Sequence, residues 1–449
     1  MARPDLPAGP GFNPFHSWLF INQPKRYYAW LRRRYGEAVT MKTPGGAVVT
    51  ALTAEGARQA LSTDPNTYDA FQKEAFTGLT GLGSLWVLDG ARHQQERALL
   101  SSRFSSHHCR GYGHAIREIT RRHTDSWKPG QPVNAYEAML DISLDVILRV
   151  IFGADRGGVI DEGRRALKTL LHVAHPLIAF LPTFQRWWFP PWRRYRRAKR
   201  DFAAFVTRCL AERRARDEDS GDVLGIMLSA RRHDGTSMRD DEICDELITI
   251  LLAGHETTAV ALAWALYEVG RHPVVLARLR EELQALGPEP EPDLIVKQPY
   301  LGAICDETLR LHPILTEVAR TIRLPCELLG YRLPPGLAVA VGISAIHQDP
   351  SLYPEPDEFR PDRFIERKYS AFEFLPFGGG HRRCLGAHLS DYEMRIVLAT
   401  IVTCWEFAIV GEEKEVRHSI GTGPKHGVRM RMTGRLPAAT SSLTAASRA

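Results

Sequence analysis

The sequence predicts a mainly α protein with small β-sheets, on three observations. Segments with helical periodicity follow one another through the middle of the chain. One of them, residues 237–270, would be roughly 50 Å long at ~1.5 Å per residue, enough to cross the whole molecule. Short alternating stretches near residues 38–52, 322–341 and 405–432 lie outside that helical body and read as strands.

Composition sets the bounds. A chain of 449 residues, 44% hydrophobic, buries a large core and has length for two or three domains or one large one. The seven cysteines, Cys109, Cys209, Cys244, Cys305, Cys326, Cys384 and Cys404, are odd in number and lack Cys-x-x-Cys spacing. That argues against a disulfide framework or zinc knuckle and for a reducing cytoplasm. Met1 to Phe15 carries Pro4, Pro7, Pro10 and Pro14 where a secretory or anchoring segment would be charged and then apolar, so neither is expected. The net charge of +6 is a modest excess. Its arginine clusters, at 32–34, 121–122, 193–200 and 213–216, are separated and fall on helical faces. Solvated surfaces or an acidic protein partner are favoured over nucleic acid.

In chain order, a Pro-rich lead gives way to an amphipathic helix at 24–35, a hairpin at 38–43 and 47–52 around Pro44, Gly45 and Gly46, and a short helix at 53–61. Residues 62–90 lose periodicity but keep Phe71, Phe76, Leu79, Leu82, Leu85 and Trp86, the composition of a lid over a pocket. The next helix runs to about Arg103 and sets His93 and Arg97 on one face, four residues apart. Such a pair suits a solvated face or a shared anion. Helices are expected at 111–127, 136–152, 161–181 and 192–218, separated by Pro and Gly breaks. Between the last two, Trp187, Trp188 and Trp192 adjoin Arg193, Arg194, Arg196 and Arg197. Both a peripheral membrane contact and a hairpin tip packed on its own domain fit that segment.

The long helix at 237–270 has Ser237 and Asp240 as candidate caps and Gly270 and Pro273 as its stop. Residues 247–267 are apolar nearly all round, but His255, Glu256, Thr257 and Thr258 at the centre argue for a buried core helix over a membrane span. His255-Glu256 is not a zinc motif, since His-Glu-x-x-His needs a second histidine where Ala259 stands. Gly254 weakens the helix by about 1 kcal/mol relative to alanine, which points to a bulge or a closely approaching ligand. The hydroxyl beyond it could simply bond a carbonyl one turn back.

Helices follow at 273–286 and 296–311, the second with Glu307 and Arg310 spaced to pair. Residues 315–318 could line a pocket, 322–341 predict a second small sheet, and 353–370 an ordered meander. Edge strands are expected at 405–410, 415–418 and 428–432, then disorder over 437–449.

Residues 374–386 read Phe-Leu-Pro-Phe-Gly-Gly-Gly-His-Arg-Arg-Cys-Leu-Gly. Cys384 follows a run of glycines and precedes a helix-forming stretch. There a thiolate would face a positive helix N-terminus, with Arg382 and Arg383 beside it. A buried inert thiol is the plain alternative. The whole string is more specific, because Phe377, Gly380, Arg382, Cys384 and Gly386 fill every fixed position of Phe-x-x-Gly-x-Arg-x-Cys-x-Gly. This resembles the haem-thiolate loop of the cytochrome P450 family. The resemblance extends to His93/Arg97, to Ala253-Gly254-His255-Glu256-Thr257-Thr258, and to Glu307/Arg310 with Phe359-Arg360-Pro361-Asp362-Arg363-Phe364, all in the family's order.

The resemblance implies a bacterial, soluble, single-domain cytochrome P450 fold, with a lead at 1–23, a haem-thiolate catalytic domain at 24–436 and a tail at 437–449. It implies haem b (iron protoporphyrin IX) with Cys384 as the metal ligand and with His93, Arg97, Arg320 and Arg382 at the propionates. Phe377, Gly380 and Gly386 would shape the loop, and Arg363 would join Glu307 and Arg310 to brace it. Thr257 would steady bound dioxygen and Glu256 would serve proton delivery. The implied reaction inserts one oxygen atom from O2 into a hydrophobic small molecule: a fatty acid, terpenoid or steroid-like compound. Electrons would come from a ferredoxin-type donor and its reductase, in the cytoplasm, to a monomer, with Arg92, Arg103, Arg382 and Arg383 as a docking face. A peroxygenase or isomerase shares the cysteine loop without needing the acid and threonine pair. A non-enzymatic haem sensor needs no large apolar pocket.

Overall fold

A helix of 32 residues, Asp240–Arg271, runs through the middle of the structure. It starts three residues later than Ser237, because Ser237 is spent on a bridge to Arg231. The cap is Arg239, whose N–H donates to Oε2 of Glu242 at 2.9 Å. Asp240, Asp241 and Glu242 in the first turn suit the positive end of the helix dipole. It is long and apolar enough to cross a membrane by length and composition alone, yet 72% of its most apolar window is buried inside the protein, as a core helix requires.

The computed structural model describes residues 6–11, 13–43, 46–102, 104–153, 157–174, 178, 181–216, 222–232, 234–418 and 421–437. The expected tail lies outside these but for Pro437, as does part of the expected helix at 161–181. Helices Ala135–Phe152, Ala387–Cys404, Pro299–Leu311 and Pro190–Arg216 pack around the central one. Trp264 on the central helix and Trp405 at the end of the cysteine helix are among the largest fully buried side chains of this core. The N-terminal lead contains a short helix, Pro14–Asn22, started by Asn13, whose side chain accepts from the amide of Phe15 at 2.8 Å.

The strands, in order, are β1 (Ala38–Thr43), β2 (Gly46–Ala51), β3 (Tyr68–Ala70), β4 (Pro132–Asn134), β5 (Val318–Ile322), β6 (Cys326–Leu328), β7 (Tyr331–Leu333), β8 (Ala338–Val341), β9 (Trp405–Ile409), β10 (Glu415–His418), β11 (Gly421–Pro424) and β12 (Arg429–Arg435). The expected hairpin forms between β1 and β2, pairing Ala38 with Ala51 and Thr43 with Gly46. The strands of 322–341 do not make one separate second sheet. β8 runs parallel to β2 and β5 joins β8, giving the order β1-β2-β8-β5-β3, while β6 and β7 form a two-stranded ladder. All four residues of β8 are buried, which suits a strand paired on both sides. β12 is likewise no edge, since it lies between β4 and β9. Pro132 sits on the edge strand β4, where a missing N–H does no harm.

Residues 62–90 are more regular than their composition suggested. They contain β3 and a helix, Lys73–Thr80, ended by Gly81 at φ 112°. The stretch that follows is tied to the central helix: Gly83 N–H donates to Asp245 at 3.1 Å, Leu85 N–H to Glu246 at 2.7 Å, and Thr249 to the Ser84 hydroxyl at 2.7 Å. Leu85 is buried, while Leu82 is 74% exposed and faces outward.

The aromatic and basic segment divides in two. Trp187 and Trp188 are exposed, but Trp192 is buried and stacked on Tyr195, ring centroids 5.8 Å apart. Pro190 starts the helix Pro190–Arg216 immediately before it and turns the Trp192 face inward, which removes Trp192 from any membrane-facing set.

Candidate active site

The glycines before Cys384 permit a backbone path that other residues would strain. Gly378 and Gly380 have φ of 64° and 66°, and a Cβ on Gly380 would stand 2.4 Å from the carbonyl oxygen of Leu61. The loop closes on itself through Cys384 N–H, which donates to Phe377 O at 2.9 Å. Two residues on, Gly386 caps the helix Ala387–Cys404.

Cys384 is accessible, yet burial is the largest influence on its thiol and pushes it up; the Gly386 amide, Arg383 and Arg97 pull the other way. A side chain both accessible and surrounded by protein lines an interior hollow. Arg383 thus stands beside the sulfur as expected and Arg97 joins it, whereas Arg382, also expected there, points elsewhere.

Arg382 donates through Nη2 to Leu88 O at 2.6 Å and to Asp89 Oδ1 at 2.7 Å, and its buried Nε has no partner among the described residues. Around it gather the other cations. His93, on the helix Gly90–Ser101, is pushed down to about 3 by burial, then by Arg382, His381 and Arg97. His381 is pushed down to about 4 by burial, then by Arg320 and Arg382. Arg320, on β5, is lowered to about 10 by burial and then by Arg382. The half-buried Arg97 donates to Arg383 O at 2.6 Å. Asp89 is already shared by Arg382, Lys73 and the amide of Ala70.

Three arginines and two histidines, each disfavoured in its charged form, outnumber the acid beside them. A rigid anion with two carboxylates would relieve that excess and satisfy Nε of Arg382. The same hollow offers one thiol as a soft metal ligand. The residues fit a haem. Sequence reasoning missed His381 and Asp89; both flank residues it had named, so only their proximity in space was hidden.

The central helix carries a strip of partial exposure. Leu252, Ala253, Gly254, Glu256 and Thr257 are half-buried between fully buried turns, so this strip also borders a hollow. The helix does not bulge at Gly254, and a Cβ there would meet Ile147 at 3.3 Å, so close helix packing accounts for the glycine. Thr257 Oγ1 donates to Ala253 O at 2.6 Å, one turn back. Glu256 Oε1 accepts from the Tyr136 hydroxyl at 3.1 Å, a partner the sequence did not suggest. His255 faces the other way, its Nε2 3.0 Å from Leu140 O, and burial pushes it down to about 4.

Beneath the cysteine loop, Glu307 takes Arg310 through Nε and Nη2 at 2.6 and 2.9 Å and Arg363 Nε at 2.9 Å, all three side chains nearly inaccessible. Of the proposed docking face, Arg92 is tied inward to Glu96 and Glu242, Arg382 is spent on Asp89, and Arg103 lies outside the described residues. Arg383 remains exposed.

Comparison with known proteins finds one family. A family model for cytochrome P450 matches residues 7–427. The putative cytochrome P450 138 of Mycobacterium tuberculosis is 35% identical over 437 residues, covering 96% of both chains. The putative cytochrome P450 135B1 of the same organism is 33% identical over 451 residues, covering 98% of this chain and 94% of that one. Among solved structures, the cytochrome P450DA heme domain is 25% identical with a TM-score of 0.84, covering 97% of this chain and 99% of that one. A retinoic acid bound cyanobacterial CYP120A1 has the same fold, with a TM-score of 0.84 at 23% identity over 97% of this chain and 100% of that one.

Proposed function

The chain belongs to the cytochrome P450 family, and so to the haem-thiolate monooxygenases, and from that premise we propose that it uses haem b with Cys384 as the iron ligand to insert one atom of dioxygen into a hydrophobic small molecule. Its electrons come from a ferredoxin-type donor and a reductase. The observation that carries this reading is the accessible thiol of Cys384 beside Arg383 and Arg97, with the disfavoured cations His93, His381, Arg320 and Arg382 gathered around Arg97 and one another.

When bound, haem supplies the activation of dioxygen and the oxygen transfer, helped by electron density pushed from a thiolate. The chain's residues do the rest. Cys384 N–H on Phe377 O sets the sulfur's direction. Arg320, Arg382, Arg97 and His93 would hold the two carboxylates of the haem. Thr257 commits its hydroxyl hydrogen to Ala253 O, so toward the hollow it acts as an acceptor and can steady a protonated oxygen or a water. Glu256 is the ionisable group next to it, held by Tyr136 as a proton donor and acceptor one helix face away.

Half-buried Phe76, Trp86, Leu252, Leu315 and Val318 are the candidates for apolar walls of the substrate pocket, and such walls favour a fatty acid, terpenoid or steroid-like substrate. Exposed Trp187 and Trp188 are the residues left for a peripheral membrane contact. The test is to screen such compounds for a shift of the haem absorption band, then to follow the best under isotopic dioxygen with a reconstituted ferredoxin and reductase. One labelled oxygen in the product supports the reading. Turnover on hydrogen peroxide but not on dioxygen makes the protein a peroxygenase, and band shifts without turnover make it a sensor.

A further inference from the structure

His347 ends the short helix Ile343–His347, between β8 and the meander, and its side chain is wholly inaccessible. Its Nε2 accepts the amide hydrogen of Leu375 at 2.9 Å, and its ring stacks on that of Phe374 at an interplanar angle of 28°, centroids 5.5 Å apart. Both residues open the cysteine loop. At its other end, the backbone oxygen of His347 accepts from Nη1 of Arg310 at 2.9 Å. Arg310 is the arginine clamped on Glu307, which also holds Arg363 and the amide of Arg360.

The path continues without a gap to the sulfur. Leu375 O accepts from Gly378 N–H at 3.0 Å, and Phe377 O from Cys384 N–H at 2.9 Å. Glu307 and Arg310 make no hydrogen bond to residues 374–386 themselves; their bonds go to Arg363, Arg360, His347, Pro356 and Glu358. The ring of His347 bridges that interval.

We propose that His347 is a positioning residue for Cys384: as a neutral imidazole with a bare Nε2, it carries the rigidity of the Glu307, Arg310 and Arg363 cluster onto the cysteine loop. The chemistry is restrictive. An amide hydrogen aimed at Nε2 leaves that nitrogen only the acceptor role, so the ring hydrogen must sit on Nδ1. Burial, with Arg310 close by, opposes a second proton and pushes the group down to about 3. A protonated ring would set N–H against N–H at Leu375 and release the loop.

The proposal rests on Cys384 being the iron ligand, and its test separates the two. In the reduced carbon monoxide complex, a Cys384→Ala variant that keeps the thiolate-type band would overturn the ligand itself. With the ligand intact, His347→Leu should lose that band to the thiol-type form about ten-fold faster than the natural protein, as expected for one lost buried acceptor. His347→Gln places an acceptor oxygen at similar reach and should hold the band within about two-fold of the natural rate. A Leu variant as slow as the natural protein, or a Gln variant as fast as Leu, overturns the role. Should the Leu variant not fold, histidine nitrogen NMR of the natural carbon monoxide complex decides. One ring should stay protonated at Nδ1 and bare at Nε2 across about pH 6 to 8, and vanish in His347→Gln; a ring protonated at Nε2 overturns the proposal.

Discussion

Tyr136, on the helix Ala135–Phe152, donates its phenol hydrogen to Oε1 of Glu256 on the central helix at 3.1 Å. Burial and the nearby carboxylate both raise the phenol, so Tyr136 keeps its hydrogen at any ordinary pH. Glu256 therefore always finds a donor at Oε1. Tyr136→Phe and Glu256→Gln should each lower the fraction of reductant that ends in oxygenated product, and the double variant should be no worse than Glu256→Gln. Thr257→Ala should divert reductant to hydrogen peroxide while still binding substrate. Product, peroxide and reductant are counted together; unchanged coupling in all of these would reduce Thr257 to a helix hydroxyl.

Cys384→His or Ala should abolish the thiolate-type band of the reduced carbon monoxide complex. Replacing any of the other six cysteines should leave it, since Cys305 and Cys109 are buried thiols pushed up by desolvation and far from thiolate character.

Arg97→Ala and Arg320→Ala should each weaken haem retention by about 1.5–3 kcal/mol, the range for hydrogen bonds to a charged group, or roughly ten- to a hundred-fold in affinity. Arg194→Ala, an exposed residue beyond the site, is the control. Haem transfer to an acceptor protein measures the difference, and equal retention in all three would remove these cations from the map.

Glu307→Ala should cost about 3–5 kcal/mol of stability, the range for stripping one partner from a buried ion pair, because Arg310 and Arg363 would be left uncompensated. Denaturant titration reads this directly. A loss under about 1 kcal/mol, the size of an exposed pair, would mean water reaches the cluster.

Glu393 lies wholly buried on the cysteine helix, and burial pushes its carboxyl up to about 8. The folded protein keeps that proton while the unfolded chain releases it near the ordinary carboxyl value, so this group takes stability away as pH rises from about 4.5 to 8. Glu393→Gln should gain on the natural protein by about 1.4 kcal/mol per pH unit through that window. His255, pushed down to about 4, acts in the opposite sense, withdrawing stability as pH falls below about 6.5. A stability difference for Glu393→Gln that does not change with pH would show that the carboxyl ionises freely.

What the sequence determined by itself is whatever lies within a few residues of itself. The spacing from Phe377 to Gly386, the i, i+3 pair Glu307 and Arg310, the long apolar run at 247–267 with its stop at Gly270 and Pro273, and the alternation of β1 and β2 are local facts. Helix and strand periods, and the backbone freedom of glycine, act over that same range. Tertiary structure decided which distant groups meet. Arg382 finds Asp89 across 293 positions and Tyr136 finds Glu256 across 120, and neither spacing carries a signal. Partial exposure of Leu252, Ala253, Gly254, Glu256 and Thr257 and the inward turn of Trp192 follow from which helices pack on which faces. β8 reads as a strand from its residues, yet only packing made it the partner of both β2 and β5. Period two determines which face of a strand is apolar but says nothing about the strand beside it, because that choice depends on the burial of every other element at once.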